Sequence, residues 1–183
     1  MSADLVAHPR AGSNSLAERV KQHRQQVGTF LLLDCSYSMM QTIAPHERAI
    51  DKLRKIARQL RQDLPHVRQV IFPTPSGADA EEIVNDIPEP CGQTPLGEAI
   101  AYSAARGAVR LVIVSDGYPT NPASALEAAA KATCQIDVCY IGEPGSDGER
   151  FLRALASHYG GHCDTLDLST KQLESKIRGF LTA

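Results

Sequence analysis

In LLLDCSYSMM, residues 31–40, a run of leucines ends on Asp34, and Ser36 and Ser38 follow at every second position. Another apolar run, VRLVIVSD over 109–116, also ends on a serine and an aspartate, Asp116, and Thr94 stands in CGQTPLGEAI. Gathered at one place, these five residues would offer only oxygen. Two carboxylates brought together without a counter-charge repel, and one of them must take up a proton at neutral pH. A divalent cation removes the conflict, and an all-oxygen donor set suits a hard ion: Mg2+, with Mn2+ or Ca2+ as substitutes. Hydroxyls are weak neutral ligands, so such an ion stays incompletely neutralised and can accept one more carboxylate from a partner. A plainer reading stands beside this one, in which Asp34 and the serines cap the next segment through local hydrogen bonds and Thr94 is a helix N-cap. A threonine hydroxyl has acceptor capacity for both roles.

The elements around these residues decide whether they can meet. TFLLLD, 29–34, is apolar without alternation, which predicts a strand buried on both faces of a mostly parallel sheet. ERAIDKLRKIARQLRQDL places Ile50, Leu53, Ala57, Leu60 and Leu64 at helical spacing and predicts an amphipathic helix whose arginine-rich side is a solvated outer face. VRQVIF, 67–72, reads as a strand, and a short one follows near 82–85. The connection between them is too short for a right-handed crossover, so this third strand is expected to run antiparallel. Helices are expected from Pro95, over SALEAAAKA and over GERFLRALASHYGG, with a glycine stop at Gly160 and Gly161. Between and after them come the strands VRLVIVSD, QIDVCYIG and HCDTLDL. Ser15 with Glu18 predicts a capped N-terminal helix, and Ser169 with Gln172 caps a last helix carrying Leu173, Ile177 and Phe180. The sum is an α/β fold: a doubly wound, mostly parallel six-stranded sheet with one antiparallel edge strand and helices on both faces. Residues 1–12 are expected to be a flexible tail and 13–183 a single domain. With strand order 3-2-1-4-5-6 the strands ending on Asp34 and Asp116 are neighbours at the switch point, where such sheets bind ligands.

These residues resemble a von Willebrand factor type A domain with a metal-ion-dependent adhesion site, of the intracellular bacterial type. The family pattern is D-x-S-x-S, then a threonine, then an aspartate. Asp34, Ser36, Ser38, Thr94 and Asp116 match it in order, and the likeness covers roughly 28–181. It implies that Ser36 and Ser38 bind the ion directly and that Asp34, Thr94 and Asp116 bind it directly or through water. The resemblance further implies a Rossmann-like sheet and a non-catalytic, metal-dependent protein-interaction domain whose partner presents an Asp or Glu to the metal. It places the chain beside an AAA+ ATPase or in a stress or tellurium-resistance system. Tyr37 stands where many members have glycine. A backbone position needing φ > 0 would strain it; otherwise its ring is available to a binding surface.

Composition narrows the rest. A formal charge of −2 over 183 residues gives no general attraction for nucleic acid, and with no tryptophan and few other aromatics there is no stacking platform. No apolar run is long enough for a membrane span or a secretory signal, so a cytoplasmic protein is expected. The five cysteines form neither a disulfide framework nor a C-x-x-C pair. His158, His162 and Cys163 are explained by a helix end and an edge strand, and Gly142, Gly145 and Gly148 by a turn. The alternative function is a Mg2+-dependent hydrolase or phosphotransfer enzyme in the same crevice, with Asp34 or Ser36 as nucleophile. That chemistry would want a second acid behind the nucleophile or a histidine base, and the motif loops hold neither.

Overall fold

The computed structural model describes residues 28–166 and 172–183. The expected tail, the N-terminal helix from Ser15 and the Ser169 cap lie outside the described residues. In chain order the strands are β1 (Thr29–Asp34), β2 (Thr42–Ala44), β3 (Glu47–Arg48), β4 (Arg68–Phe72), β5 (Glu81–Glu82), β6 (Arg110–Ser115), β7 (Gln135–Tyr140) and β8 (Cys163–Thr165). The α-helices are α1 (Ala49–Asp63), α2 (Leu96–Ala104), α3 (Pro122–Ala132), α4 (Asp147–His158) and α5 (Gln172–Thr182).

Six strands make one sheet in the order β5-β4-β1-β6-β7-β8. All neighbours are parallel except the edge strand β5, which pairs antiparallel with β4 through Val70 opposite Glu82 and Ile71 opposite Glu81. The leucine run of β1 is apolar throughout because both of its sides are covered. Phe30 and Leu32 face a core closed by Leu96 and Ile100 of α2, Ala125 and Ala129 of α3, and Leu152 and Leu155 of α4. Leu31 and Leu33 face a second core closed by Ile50, Leu53 and Leu60 of α1 and by Leu173 and Ile177 of α5. Each such fully buried leucine contributes about 1.5–3 kcal/mol.

Local signals set the helix starts. Asn121 Oδ1 accepts from Ser124 N–H at 3.0 Å with Pro122 in the first turn of α3, and Ser146 Oγ accepts from Glu149 N–H at 3.2 Å at the start of α4. After α4, Gly160 takes φ +72° and stops the chain where a glycine was expected.

Three expectations are corrected. Glu47 and Arg48, read as the first residues of the amphipathic helix, instead form β3, which pairs with β2 in a hairpin turning at His46 with φ +65°. Its strands are too short to show alternation. The helix expected from Pro95 begins at Leu96, with Pro95 rather than Thr94 at the cap position and no side-chain cap bond. The arginines of α1 do not simply face solvent. Arg54 donates to the Ile87 and Pro88 carbonyls at 2.8 and 2.6 Å, Arg61 donates to the Asn85 carbonyl at 2.6 Å, and Arg58 pairs with Asp86. The basic side of the helix therefore holds the segment that leads to Thr94. No helix among the described residues is long and apolar enough to cross a membrane.

Candidate metal centre

All five residues singled out in the sequence come to the C-terminal ends of β1 and β6, which are adjacent strands. Asp34 is the last residue of β1 and is 0% exposed. Its Oδ1 accepts from Ser36 N–H at 2.8 Å, and its Oδ2 accepts from Ser115 Oγ at 2.6 Å. From there the hydroxyls run outward. Ser36 Oγ and Ser38 Oγ lie 2.9 Å apart, and Ser38 Oγ donates to Asp116 Oδ1 at 2.7 Å. Asp116 Oδ2 accepts a long bond from Gln41 Nε2 at 3.5 Å.

Backbone bonds fasten the three loops together. Tyr37 N–H donates to Gly92 O at 3.2 Å and Cys91 N–H to Cys35 O at 2.8 Å, which joins the first loop to the second. Thr94 N–H donates to Thr120 Oγ1 at 2.9 Å while Thr120 N–H donates to Thr94 O at 3.0 Å, which joins the second to the third. The Thr94 hydroxyl, by contrast, makes no hydrogen bond among the described residues, although the residue is only 6% exposed and lines the cleft. It lies 3.6 Å from the point where a side chain on Gly117 would begin.

Electrostatics set this place apart. Burial, and after it the charge of Asp116, push the Asp34 carboxyl up to about 7 against the bonds from Ser115 and Ser36. Burial also raises Asp116, and the bond from Ser38 moderates the effect. No lysine, arginine or histidine among the described residues pairs with either group. A divalent cation fits this donor set. The carboxylates lack a counter-charge, the oxygens of Ser36, Ser38 and Asp116 lie within hydrogen-bond reach one after the next, and the Thr94 hydroxyl, open to the cleft, still has capacity to bind. Cys35 does not compete, because it turns its thiol into the core against Leu33 O, and burial with the neighbouring Asp34 holds that thiol well above its ordinary range.

Several residues that serve the site were not assigned to it from sequence. Ser115 was legible only as the end of a strand. Gln41 belongs to a stretch with no periodic pattern. Tyr140 Oη donates to the Asp116 carbonyl at 3.2 Å, and a Cβ on Gly142 would come within 2.2 Å of that same oxygen. Gly142 is thus more than a turn residue, since the third loop can seat only where this position has no side chain. Gly148 does similar work, with its would-be Cβ 2.9 Å from the Gly117 backbone. Tyr37 is free of the feared strain. It opens a short 3-10 turn, Tyr37–Met40, is absent from the positive-φ residues, and is 64% exposed at the rim. Tyr118 stands in the same cleft, 49% exposed and packed edge-on against Phe151 at 5.5 Å. Between these rings the cleft opens to about 470 Å³.

No protein-family model matches the chain, and no curated protein matches it. Among solved structures, the von Willebrand factor type A protein from Catenulispora acidiphila superposes with a TM-score of 0.62 at 17% sequence identity. The match covers 84% of this chain and 41% of the other, so this chain spans about two fifths of that structure's length. At that identity the likeness concerns the fold, and the fold is that of a von Willebrand factor type A domain.

Proposed function

We propose that this chain is a non-catalytic protein-interaction domain whose adhesion site is completed by a divalent cation, Mg2+ in the cell. Asp34, Ser36, Ser38, Thr94 and Asp116 would hold the ion, and a partner protein would add an Asp or Glu. Bound there, the cation supplies positive charge and a coordination position for that carboxylate. The protein side does the rest. Ser115 and the Ser36 N–H orient Asp34, Ser38 and Gln41 orient Asp116, and the Thr94–Thr120 pair fixes the height of the second loop.

One observation carries the reading: a fully buried carboxylate faces a second one across a chain of hydroxyls, with no cation of the described chain in reach. Buried charges are ordinarily paired or bound to metal. The exposed rings of Tyr37 and Tyr118 at the rim add support, because aromatic anchors around a polar centre are typical of interaction surfaces. The cytoplasmic setting, beside an AAA+ ATPase or in a stress or tellurium-resistance system, belongs to the same proposal.

The test is a calorimetric titration of the full chain with MgCl2 and MnCl2, followed by capture from native lysate in Mg2+ and in EDTA, with Asp116→Ala as control. Saturable one-site binding, and proteins retained only by the metal-loaded wild type, are expected. Equal recovery in all three samples would remove the crevice as the interaction surface. Turnover of a generic phosphate ester in Mg2+, lost in Asp34→Asn, would replace this reading with the hydrolase.

A further inference from the structure

The chain between β4 and α2, residues 73–95, must deliver Thr94 to the cleft, yet its only strand or helix is the two-residue β5. Regular backbone pairing therefore cannot set where this stretch ends. One side chain from outside the cleft takes that part. Arg54, in the second turn of α1 and only 14% exposed, donates through Nε to the Ile87 carbonyl at 2.8 Å and through Nη2 to the Pro88 carbonyl at 2.6 Å and to Glu89 Oε1 at 2.9 Å. Its Nη1 donates to Asp51 Oδ1 at 2.9 Å, which holds the guanidinium in place. Arg48 grips the same Glu89 through Nη1 at 2.8 Å and Nη2 at 3.2 Å, and is itself tied to Asp51 through Nε at 2.9 Å.

The stretch from this clamp to Thr94, IPEPCGQT over 87–94, is built to carry a position along. Ile87 is 3% exposed in the core under α1, and Pro88 and Pro90 fix φ on either side of Glu89. Beyond them Cys91 and Gly92 are bonded to the first loop, and Thr94 to Thr120 of the third. A planar guanidinium meets two carbonyls and a carboxylate in one fixed arrangement, and a lysine ammonium on a flexible stem does not reproduce it.

From this we infer that Arg54 is a positioning residue of the metal centre: it sets the affinity for the cation by fixing the second loop, and with it the height of the Thr94 hydroxyl. The inference rests on the metal-dependent reading above and adds what governs the strength of that site. The charge of Arg54 works in the opposite direction. A fixed cation repels an incoming one, so neutralising Arg54 should tighten metal binding if charge alone counted and weaken it if position counts.

Calorimetric titration of the full chain with MgCl2 tests it in Arg54→Gln, which removes the charge, and in Arg54→Lys, which keeps it. Both should bind about tenfold more weakly than the wild type. In a Thr94→Val background, where the hydroxyl is already gone, neither should weaken binding further. Should the Arg54 variants fail to fold, Glu89→Ala, at a side chain 63% exposed, removes one end of the clamp and should show a smaller loss of the same kind, again absent in Thr94→Val. A role confined to the fold would lower the urea midpoint and leave the affinity as it is. Affinity unchanged or tighter, or an equal loss with and without the Thr94 hydroxyl, would overturn the inference and leave the metal reading standing. A folded wild type that takes up no Mg2+ would take down both.

Discussion

Asp34 and Asp137 are both 0% exposed and both belong to central strands, yet the protein treats them in opposite ways. Asp137 is answered in full. Arg110 grips its Oδ2 through Nε at 3.0 Å and Nη2 at 2.8 Å, Gln135 Nε2 adds a third bond at 3.2 Å, and His162 N–H serves Oδ1 at 2.9 Å. Asp34 receives one amide and one hydroxyl, and the charge that acts on it is that of another carboxylate, Asp116. A buried charge that serves the fold carries its own counter-ion in the chain. A buried charge left without one indicates that the counter-ion comes from outside.

Substitutions at the two aspartates should therefore separate. The largest effect is expected for Asp137→Ala, which strands Arg110 at 14% exposure and should cost about 3 kcal/mol in denaturant unfolding. Asp34→Asn, unfolded in the presence of EDTA, should cost nothing or stabilise, since it removes a repelling charge; a loss as large as that at Asp137 would erase the contrast. The same Asp34→Asn should weaken Mg2+ binding by about a hundredfold or more in calorimetry. Next in size is Ser115→Ala, which takes a bond from Asp34 Oδ2 without touching the ion. It should reduce Mg2+ affinity by about tenfold while leaving unfolding in EDTA close to that of the wild type.

The smallest effect sharpens the comparison with a third carboxylate. Glu149 is of the answered kind: the Thr165 hydroxyl, the Gly145 N–H and Arg153 hold it down to about 2, against an ordinary 4.5. A depressed carboxylate contributes stability that is present above its unfolded value and is lost as pH falls through the folded one. Glu149→Gln should therefore melt about 2 °C below the wild type at neutral pH, with the gap closing between pH 4.5 and about 2. A gap independent of pH would mean that the charge of Glu149 is irrelevant.

Much of this was legible in the chain. The β1 and β6 runs announced strands covered on both faces, and the switch-point rule places Asp34 beside Asp116 from the strand order alone. The antiparallel β5 followed from the length of its connection. What escaped was what three-dimensional proximity alone decides. Strands of two or three residues, as in β2 and β3, have no room for a period. The role of Ser115 depends on where its hydroxyl points across the sheet, and that of Gly142 on which carbonyl comes near it. The arginines of α1 looked like an outer face because helical spacing shows which side is apolar and not what lies over the other side. Thr94 looked like a cap for a similar reason, whereas its backbone is occupied with Thr120 and its hydroxyl is left for the cleft.

The cross-links between Tyr37 and Gly92, Cys91 and Cys35, and Thr94 and Thr120 also bear on how fast and how cheaply the site can load. Loops already tied to one another lose little freedom when a ligand arrives, because folding has already ordered them. Uptake should be a quick docking event rather than a slow closing of loose chain. Amide deuteration at Tyr37, Cys91 and Thr120 should already be slow in chelator and slow little further in magnesium, so that the signal of engagement travels outward to the visitor rather than inward to the fold.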